Sequence, residues 1–347
     1  MGVLDDKKVT KDVLDLLELF EKSQWDFKPN FDLVKNLSII NREKLRSTKM
    51  VKGIFTSKTT GSTGEPVSVE KSYADFIWYL ATNIREFRWR KWDLTKNVAV
   101  INAKNKRSFE MSWGVPKEIE PKQGMKFSIG LEPISEIQKW IEKVNPHYIQ
   151  GPPSVINQLD LTKIKNYIDH KGSGELGGSM YSSEECGTIA IQCPTNPNNY
   201  HVMENQIVEV DNDGGIIITT TTNQYIKRYK HGDHIELGQC DCGRTLQTIT
   251  KINGRVRNMF TLPNGDKVWP IIGSRDYYEK FGIKRYKAIQ TEIDKLELHI
   301  ISDDLKDKEN ELKKHIKEHL NSDINIDIIY VTEFPNYKFE EFVSMVK

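Results

Sequence analysis

Residues 59–66 read Thr-Thr-Gly-Ser-Thr-Gly-Glu-Pro and follow the apolar pair Ile54-Phe55. Gly61 and Gly64 allow backbone N–H groups to approach an oxyanion closely. Hydroxyl side chains add further donors without bulk, and they belong to Thr59, Thr60, Ser62 and Thr63. The stretch therefore predicts a loop that binds the phosphates of a nucleotide. It is not a Walker P-loop, because no Gly-Lys-Ser/Thr follows it, and an ordinary flexible loop is the alternative.

Length and charge restrict the class of protein. The chain has 347 residues, which suits two or three domains, and its 50 basic side chains nearly balance 49 acidic ones. A neutral chain without a long basic run offers no electrostatic footprint for nucleic acid or an anionic membrane, so neither partner is expected. No apolar stretch approaches the roughly 18 residues of a spanning helix, which predicts a soluble, cytoplasmic protein.

Apolar periodicity predicts an α/β layer in the first half of the chain. Residues 11–20 and 135–144 carry apolar side chains at helical spacing. Short apolar strands at 98–101 and 148–150 flank the second helix. Helices that alternate with short buried strands are typical of α/β folds.

Strands dominate from about residue 200. Residues 207–210 and 216–219 predict a hairpin around the turn Asn-Asp-Gly-Gly. Near the C-terminus, alternating strands at 296–300 and 324–328 enclose a helix that carries Leu312, Ile316 and Leu320 on one face. We therefore predict an α/β fold with a large N-terminal domain, residues 1–256, that includes a strand-rich subregion. A small, mobile α+β domain, residues 257–347, follows it.

Further motifs follow the glycine-rich stretch in a fixed order. They are Tyr-Ser-Ser-Glu-Glu-Cys-Gly at 181–187, Arg-Tyr-Lys-His-Gly-Asp at 228–233, Gly254-Arg255, and a lysine near the C-terminus, Lys338. In this order the five elements resemble the signature of the adenylate-forming superfamily, which contains acyl- and aryl-CoA synthetases, adenylation domains and luciferases. Five matches in the same order are hard to obtain by chance.

Within that superfamily the chain resembles the phenylacetate-CoA ligase and capsule-biosynthesis branch, through residues 146–154, 240–244 and 263–270. The resemblance runs from about residue 40 to the end. It implies an AMP-forming ligase that activates a small carboxylic acid with ATP, releases pyrophosphate, and passes the acyl group to the thiol of CoA. An amine or sugar acceptor is the alternative, and a non-catalytic nucleotide-binding scaffold is a further one.

The resemblance implies roles for the 181–187 motif. The glutamate that matches Glu185 is catalytic and helps to hold Mg²⁺, a hard cation that prefers oxygen ligands. The tyrosine that matches Tyr181 stacks against adenine, and Ser182 beside it replaces the family's glycine at the nucleotide site. Glu184 replaces the family's threonine. A solvated surface acid is the alternative for Glu185.

The resemblance also implies roles for the later motifs. Asp233 matches the aspartate that binds the ribose hydroxyls, with a turn-forming Gly-Asp pair as the alternative. Arg255 is expected near the ribose and phosphate. Lys338 matches the catalytic lysine that reaches the carboxylate and the α-phosphate, although Tyr337 replaces the usual preceding glycine. Lys347 or a chance surface lysine is the alternative.

Cysteine and histidine spacing predicts a second metal site. Cys193 and His201 are separated by seven residues, and Cys240 and Cys242 by one. Three thiolates and an imidazole suit tetrahedral Zn²⁺. Because all four ligands come from the protein, the ion is expected to be structural. Buried reduced cysteines are the alternative.

The expected ligands are thus ATP, Mg²⁺, a carboxylic acid, a thiol or amine acceptor with CoA as co-substrate, and a structural Zn²⁺. A homodimer is the expected assembly. The acid itself is not indicated by the sequence. Four aromatic residues are candidates for its pocket, with a place in the core as the alternative for each: Trp78, Tyr79, Trp89 and Trp113.

Overall fold

The structure is a computed structural model that describes residues 5–59, 66–102, 105–173, 178–212, 214–253, 260–268, 280–302, 305–332 and 342–346. Across these ranges, no helix has both the length and the apolar character needed to cross a membrane. The α-helices are α1 (Asp6–Ser23), α2 (Arg42–Ser47), α3 (Tyr73–Trp89), α4 (Ile134–Val144), α5 (Pro153–Ile156) and α6 (Glu309–Leu320).

The strands of the first half of the chain are β1 (Phe55–Lys58), β2 (Ser68–Lys71), β3 (Val98–Ile101), β4 (Ser108–Glu110), β5 (Lys126–Ile129), β6 (Tyr148–Gly151), β7 (Asp169–Gly172), β8 (Met180–Ser183), β9 (Gly187–Gln192) and β10 (Tyr200–Val202). The later strands are β11 (Gln206–Val210), β12 (Gly215–Thr220), β13 (Tyr229–Gly238), β14 (Thr248–Asn253), β15 (Phe260–Thr261), β16 (Lys267–Val268), β17 (Ile283–Glu292), β18 (Lys295–Ser302), β19 (Asn325–Tyr330) and β20 (Phe342–Ser344).

A five-stranded sheet in the order β4-β5-β3-β6-β7 forms the predicted α/β layer. All its pairings are parallel except that of β4 with β5. Helix α4 packs on one face through Ile137 and Ile141, both fully buried, and ends at Asn145 in the left-handed conformation, just before Pro146. Helices α1 and α3 cover the other face, where Trp92 stacks on Tyr148. The predictions for 11–20, 98–101, 135–144 and 148–150 are confirmed.

The strand-rich part is a seven-stranded antiparallel sheet in the order β11-β12-β13-β14-β10-β9-β8. Its β11–β12 hairpin confirms the pairing predicted from the Asn-Asp-Gly-Gly turn. The core of this sheet also receives Val67 and Val69 from the β1–β2 hairpin and Leu45 from α2. This packing brings elements that are far apart in sequence to the same sheet.

A four-stranded sheet in the order β19-β18-β17-β20 contains the C-terminal elements. Helix α6 buries Leu312, Ile316 and Leu320 in a core that is separate from the cores of the other sheets. The α+β character predicted for this part is confirmed. The predicted boundary between residues 256 and 257 falls within 254–259, outside the described residues, and stays a prediction.

A buried ion pair joins α3 to the turn between β10 and β11. The Arg85 guanidinium donates to both carboxylate oxygens of Glu204, at 2.7 and 3.0 Å, and both side chains are at most 4% exposed. Arg85 also donates to the carbonyl of Phe20 at 3.1 Å, and the Ser23 hydroxyl donates to Glu204 at 2.5 Å. Removing one member of such a pair costs about 3–5 kcal/mol, because the other charge stays buried.

Candidate active site

The described ends of the predicted phosphate loop are hydrogen-bonded to each other. The Thr59 N–H donates to the Val67 carbonyl at 3.0 Å, and the Val67 N–H donates to Thr59 Oγ1 at 2.9 Å. These bonds extend the antiparallel β1–β2 pairing up to the loop. The other residues of the loop predicted to bind phosphate lie outside the described residues, and their role stays a prediction: Thr60, Gly61, Ser62, Thr63 and Gly64.

Arg42 is a cation beside this loop that the sequence analysis did not identify. Its guanidinium donates to Thr59 Oγ1 at 2.6 Å and lies 3.5 Å from Glu185 Oε1. Its buried Nε has no hydrogen-bond partner among the residues that the structure describes. A guanidinium presents several donors in one plane and matches the geometry of phosphate oxygens. Arg42 is therefore suited to bind a phosphate group held by the loop.

Glu185 lies at the centre of the candidate site and is 5% exposed. Its Oε1 accepts a hydrogen bond from the Tyr229 hydroxyl at 3.1 Å and faces Arg42. Burial raises the pKa of Tyr229, so its hydroxyl keeps the proton that it donates. Glu185 thus shares the Arg42 guanidinium with Thr59, and its carboxylate offers the hard oxygen donors that suit Mg²⁺.

The β1–β2 hairpin holds the segment that carries Glu185 from two sides. The Ser57 hydroxyl donates to Glu184 Oε2 at 2.8 Å, and Lys71 Nζ donates to the backbone carbonyl of Glu185 at 2.6 Å. Lys71 is 4% exposed. Burial lowers the pKa of this lysine, and the nearby carboxylates partly oppose that shift. Lys71 thereby positions the main chain at Glu185, a role that no sequence motif indicated.

Tyr181 and Asp233, predicted from two separate motifs, are in contact. The Tyr181 hydroxyl donates to Asp233 Oδ2 at 2.9 Å, and burial raises the pKa of Tyr181. The strand β8 changes register between Tyr181 and Ser182, and Ser182 is exposed. The His231 ring lies edge to face against both Tyr181 and Tyr229, with centroids 6.2 Å apart in each case. The two predicted nucleotide contacts and Glu185 thus belong to one cluster.

A cavity of about 800 Å³ adjoins this cluster. Helix α3 lines it with Phe76, Trp78 and Tyr79, and the β8–β9 segment lines it with Ser182 and Glu184. Of the four aromatic residues predicted as candidates for the acid pocket, Trp78 and Tyr79 therefore line this cavity. Trp113, in contrast, is buried in the core against Trp92, and Trp89 packs against His201.

The predicted zinc ligands also come together. The ligand atoms of Cys193, His201, Cys240 and Cys242 all lie within 4.8 Å of one another. This cluster lies at the turn that joins β13 to β14, whereas Asp233 lies in the middle of β13. The predicted nucleotide contact Arg255 and the predicted catalytic lysine, Lys338, lie outside the described residues, and their roles stay predictions.

No protein-family model matches the chain, and no curated protein is similar to it in sequence. Solved structures, however, are similar in fold. The structure of 2-hydroxyisobutyryl-CoA ligase with 2-HIB-AMP and CoA in the thioesterification state has a TM-score of 0.55 and 16% identity, covering 98% of this chain and 89% of that chain. The same ligase in the postadenylation state with 2-HIB-AMP has a TM-score of 0.51 and 15% identity, covering 98% and 90%.

At this identity the likeness concerns the fold. It extends over nearly the whole chain, including the C-terminal α+β part. The α/β architecture predicted from the sequence is confirmed, and it is similar to the fold of these two ligase structures.

Proposed function

We propose that this chain activates a carboxylic acid with ATP and transfers the acyl group to an acceptor thiol, with CoA as the first candidate. In the first half-reaction a carboxylate oxygen of the acid attacks the α-phosphorus of ATP, a new P–O bond forms, and pyrophosphate leaves. In the second, the thiol sulfur attacks the acyl carbon, the bond to AMP breaks, and the thiol proton passes to solvent.

The observation that carries this proposal is the continuity of the candidate site. Thr59 contacts Arg42, Arg42 faces Glu185, Glu185 accepts from Tyr229, and the His231 ring connects Tyr229 to Tyr181. Asp233 closes the series by accepting from Tyr181. These residues are Arg42 and members of the glycine-rich stretch and of the motifs at 181–187 and 228–233, and together they offer groups suited to Mg²⁺ and to the phosphates, the ribose and the adenine of ATP.

In this proposal Asp233 accepts hydrogen bonds from the ribose hydroxyls, and Tyr181 packs beside the adenine. The loop that begins at Thr59 binds the phosphates together with Arg42. Glu185 would hold Mg²⁺, which when bound offsets the charge of the phosphate oxygens. Tyr229 and Lys71 keep Glu185 in place, so little reorganisation is needed when charge develops.

We also propose that residues 257–347 form a mobile domain that carries Lys338 to the acid carboxylate and the α-phosphate. Its ammonium group would stabilise the negative charge that spreads over these oxygens during attack. Closure of such a domain completes the site and excludes water. Arg255, next to the predicted boundary, would lie near the ribose and phosphate.

The cavity beside Glu184 is proposed to bind the acid. Its wall on α3 is aromatic, with Phe76, Trp78 and Tyr79. Such a wall favours an aryl or alkyl acid, because an apolar pocket gains little from a heavily hydroxylated one.

Pyrophosphate release across aryl, alkyl and sugar acids tests the proposal, with CoA, amines and amino sugars offered in turn as acceptors. We expect release that depends on ATP and on one acid class, and a thioester product by mass spectrometry. Lys338→Ala, which should abolish pyrophosphate release, is the negative control. Nucleotide binding by calorimetry without pyrophosphate release for any acid would instead indicate a non-catalytic scaffold.

A further inference from the structure

Four metal-binding side chains converge at the turn that follows β13, outside the candidate active site. They are Cys193, His201, Cys240 and Cys242. The geometry points to a structural zinc ion bound by these four residues, which ties the β13–β14 turn to strand β10 and to the loop after β9. This inference is independent of the proposed catalytic function.

The distances between the side chains agree with a tetrahedral zinc site. With Zn–S bonds of about 2.3 Å and Zn–N bonds of about 2.0 Å, two ligand atoms of a tetrahedron lie about 3.5–3.8 Å apart. Cys240 Sγ lies 3.8 Å from Cys193 Sγ, and Cys242 Sγ lies 3.2 Å from His201 Nε2. All four ligand atoms lie within 4.8 Å of one another, at most about 1 Å beyond the tetrahedral separation, so side-chain movements of this size centre an ion.

His201 is held with Nε2 facing the sulfur atoms. Its other ring nitrogen, Nδ1, lies 3.3 Å from Thr248 Oγ1, and the hydroxyl of Thr248 donates to the Leu246 carbonyl at 3.2 Å. The Thr248 oxygen therefore accepts from Nδ1–H, which places the imidazole lone pair on Nε2. A second partner that fixes the ring in this way is typical of metal-binding histidines.

The segments that carry these residues need such a tether. Cys193 follows β9 and precedes a loop, residues 194–199, which has no large apolar side chain to fix it by packing. Cys240 and Cys242 lie in the turn after β13, and Gly243 has a φ of +82°, which favours glycine. The Asn196 N–H lies 3.4 Å from Cys193 Sγ, so the loop also folds back over this sulfur.

The same turn contacts the end of α1. Arg244 Nε donates to Gln24 Oε1 at 3.0 Å, and the Thr245 N–H donates to the Gln24 carbonyl at 3.0 Å. The Arg244 guanidinium lies 4.8 Å from the centre of the Trp89 ring, close enough for a cation–π contact. An ion at this turn therefore stabilises the junction between the sheet and α1.

The ion is structural because four protein ligands leave no position for a reactive water. Three sulfurs and one imidazole favour Zn²⁺ over the hard cations that bind phosphates. The zinc site is also separate from the proposed ribose site, because Cys240 lies seven residues after Asp233, up to about 23 Å along an extended strand.

The test measures metal content in the full-length protein purified without added zinc. We expect about one equivalent of zinc in the unmodified chain, and much less in Cys240→Ser. Cys186→Ser is the control, because Cys186 is a free cysteine that is not part of the cluster. It should retain the full equivalent. Exchange of the ion for Co²⁺ should produce a thiolate-to-cobalt absorption band, which does not depend on whether the serine variant folds.

Loss of zinc should also lower the thermal midpoint and increase hydrogen exchange in residues 194–199 and 239–247. The inference is overturned if the unmodified chain contains no metal and is fully stable. It is equally overturned if mass analysis finds Cys193 and Cys240 joined by a disulfide, or if Cys240→Ser keeps its zinc while Cys186→Ser loses it.

Discussion

The contact between Tyr229 and Glu185 can be tested by removing one oxygen atom. Tyr229→Phe deletes the hydroxyl that donates to Glu185 Oε1 at 3.1 Å and leaves the ring in place. Tyr229 is 0% exposed, so water cannot replace the lost donor. A hydrogen bond to a charged group contributes about 1.5–3 kcal/mol, against about 0.5–1.5 kcal/mol for a neutral pair. We therefore expect a loss of about 2 kcal/mol in the free energy of unfolding.

Tyr200→Phe is the matched control. The Tyr200 hydroxyl donates to the neutral carbonyl of Gly178 at 2.8 Å, and the residue is 8% exposed. Removing this hydroxyl should lower the free energy of unfolding by about 1 kcal/mol. Both variants are unfolded in urea, and the slope of free energy against urea must stay constant for the comparison to hold.

A double-mutant cycle completes the assay. In a Glu185→Gln background the acceptor is neutral, so Tyr229→Phe should cost only about 1 kcal/mol, whereas the cost of Tyr200→Phe should not change. Equal losses for Tyr229→Phe in both backgrounds would refute the assignment of a charged acceptor. A loss no greater than that of Tyr200→Phe would refute it as well.

Further predictions concern Asp233, Lys338 and Cys186. Asp233→Ala should weaken ATP binding about 10- to 150-fold by calorimetry, since charged hydrogen bonds of about 1.5–3 kcal/mol are lost; unchanged affinity would exclude Asp233 as the ribose acceptor. Lys338→Ala should abolish pyrophosphate release yet leave acyl transfer from a supplied acyl-AMP intact, with Lys347→Ala as the control; equal loss in both half-reactions would argue against this lysine. Burial raises the pKa of Cys186 to about 12. Because a raised pKa favours the neutral thiol, Cys186 should resist alkylation at pH 8 in the folded protein, and rapid labelling of its peptide in mass spectra would contradict this.

The elements that were predicted correctly from the sequence are those with long, regular patterns. Helix α4 has apolar residues at helical spacing and a following proline, and the β11–β12 hairpin has a strong turn motif. Such local patterns need no knowledge of the rest of the chain. Short strands such as β4, with its exposed residues Ser108–Glu110, carry no comparable pattern and were not predicted.

The candidate site was predicted where a motif has a recognisable order, as with Tyr181, Glu185 and Asp233. Arg42 and Lys71 were missed because a single cation has no spacing to detect, and the chain is rich in lysine and arginine. Both acquire a role only through contacts between distant segments. Arg42 reaches Glu185 across 143 positions, and Lys71 reaches it across 114.

The ion pair of Arg85 and Glu204 has a consequence for how α1 docks. Apolar faces of two helices tolerate sliding, and a slip by one turn would move α1 by about 5.4 Å. Such a slip would carry the Phe20 carbonyl and the Ser23 hydroxyl out of reach of the two buried charges, at a cost of about 1–3 kcal/mol for each lost partner. We therefore expect α1 to pack on α3 at a single position along the helix axis. Gln24 directly follows Ser23, so its position along the α1 axis is fixed as well, and it meets Arg244 and Thr245 of the turn after β13.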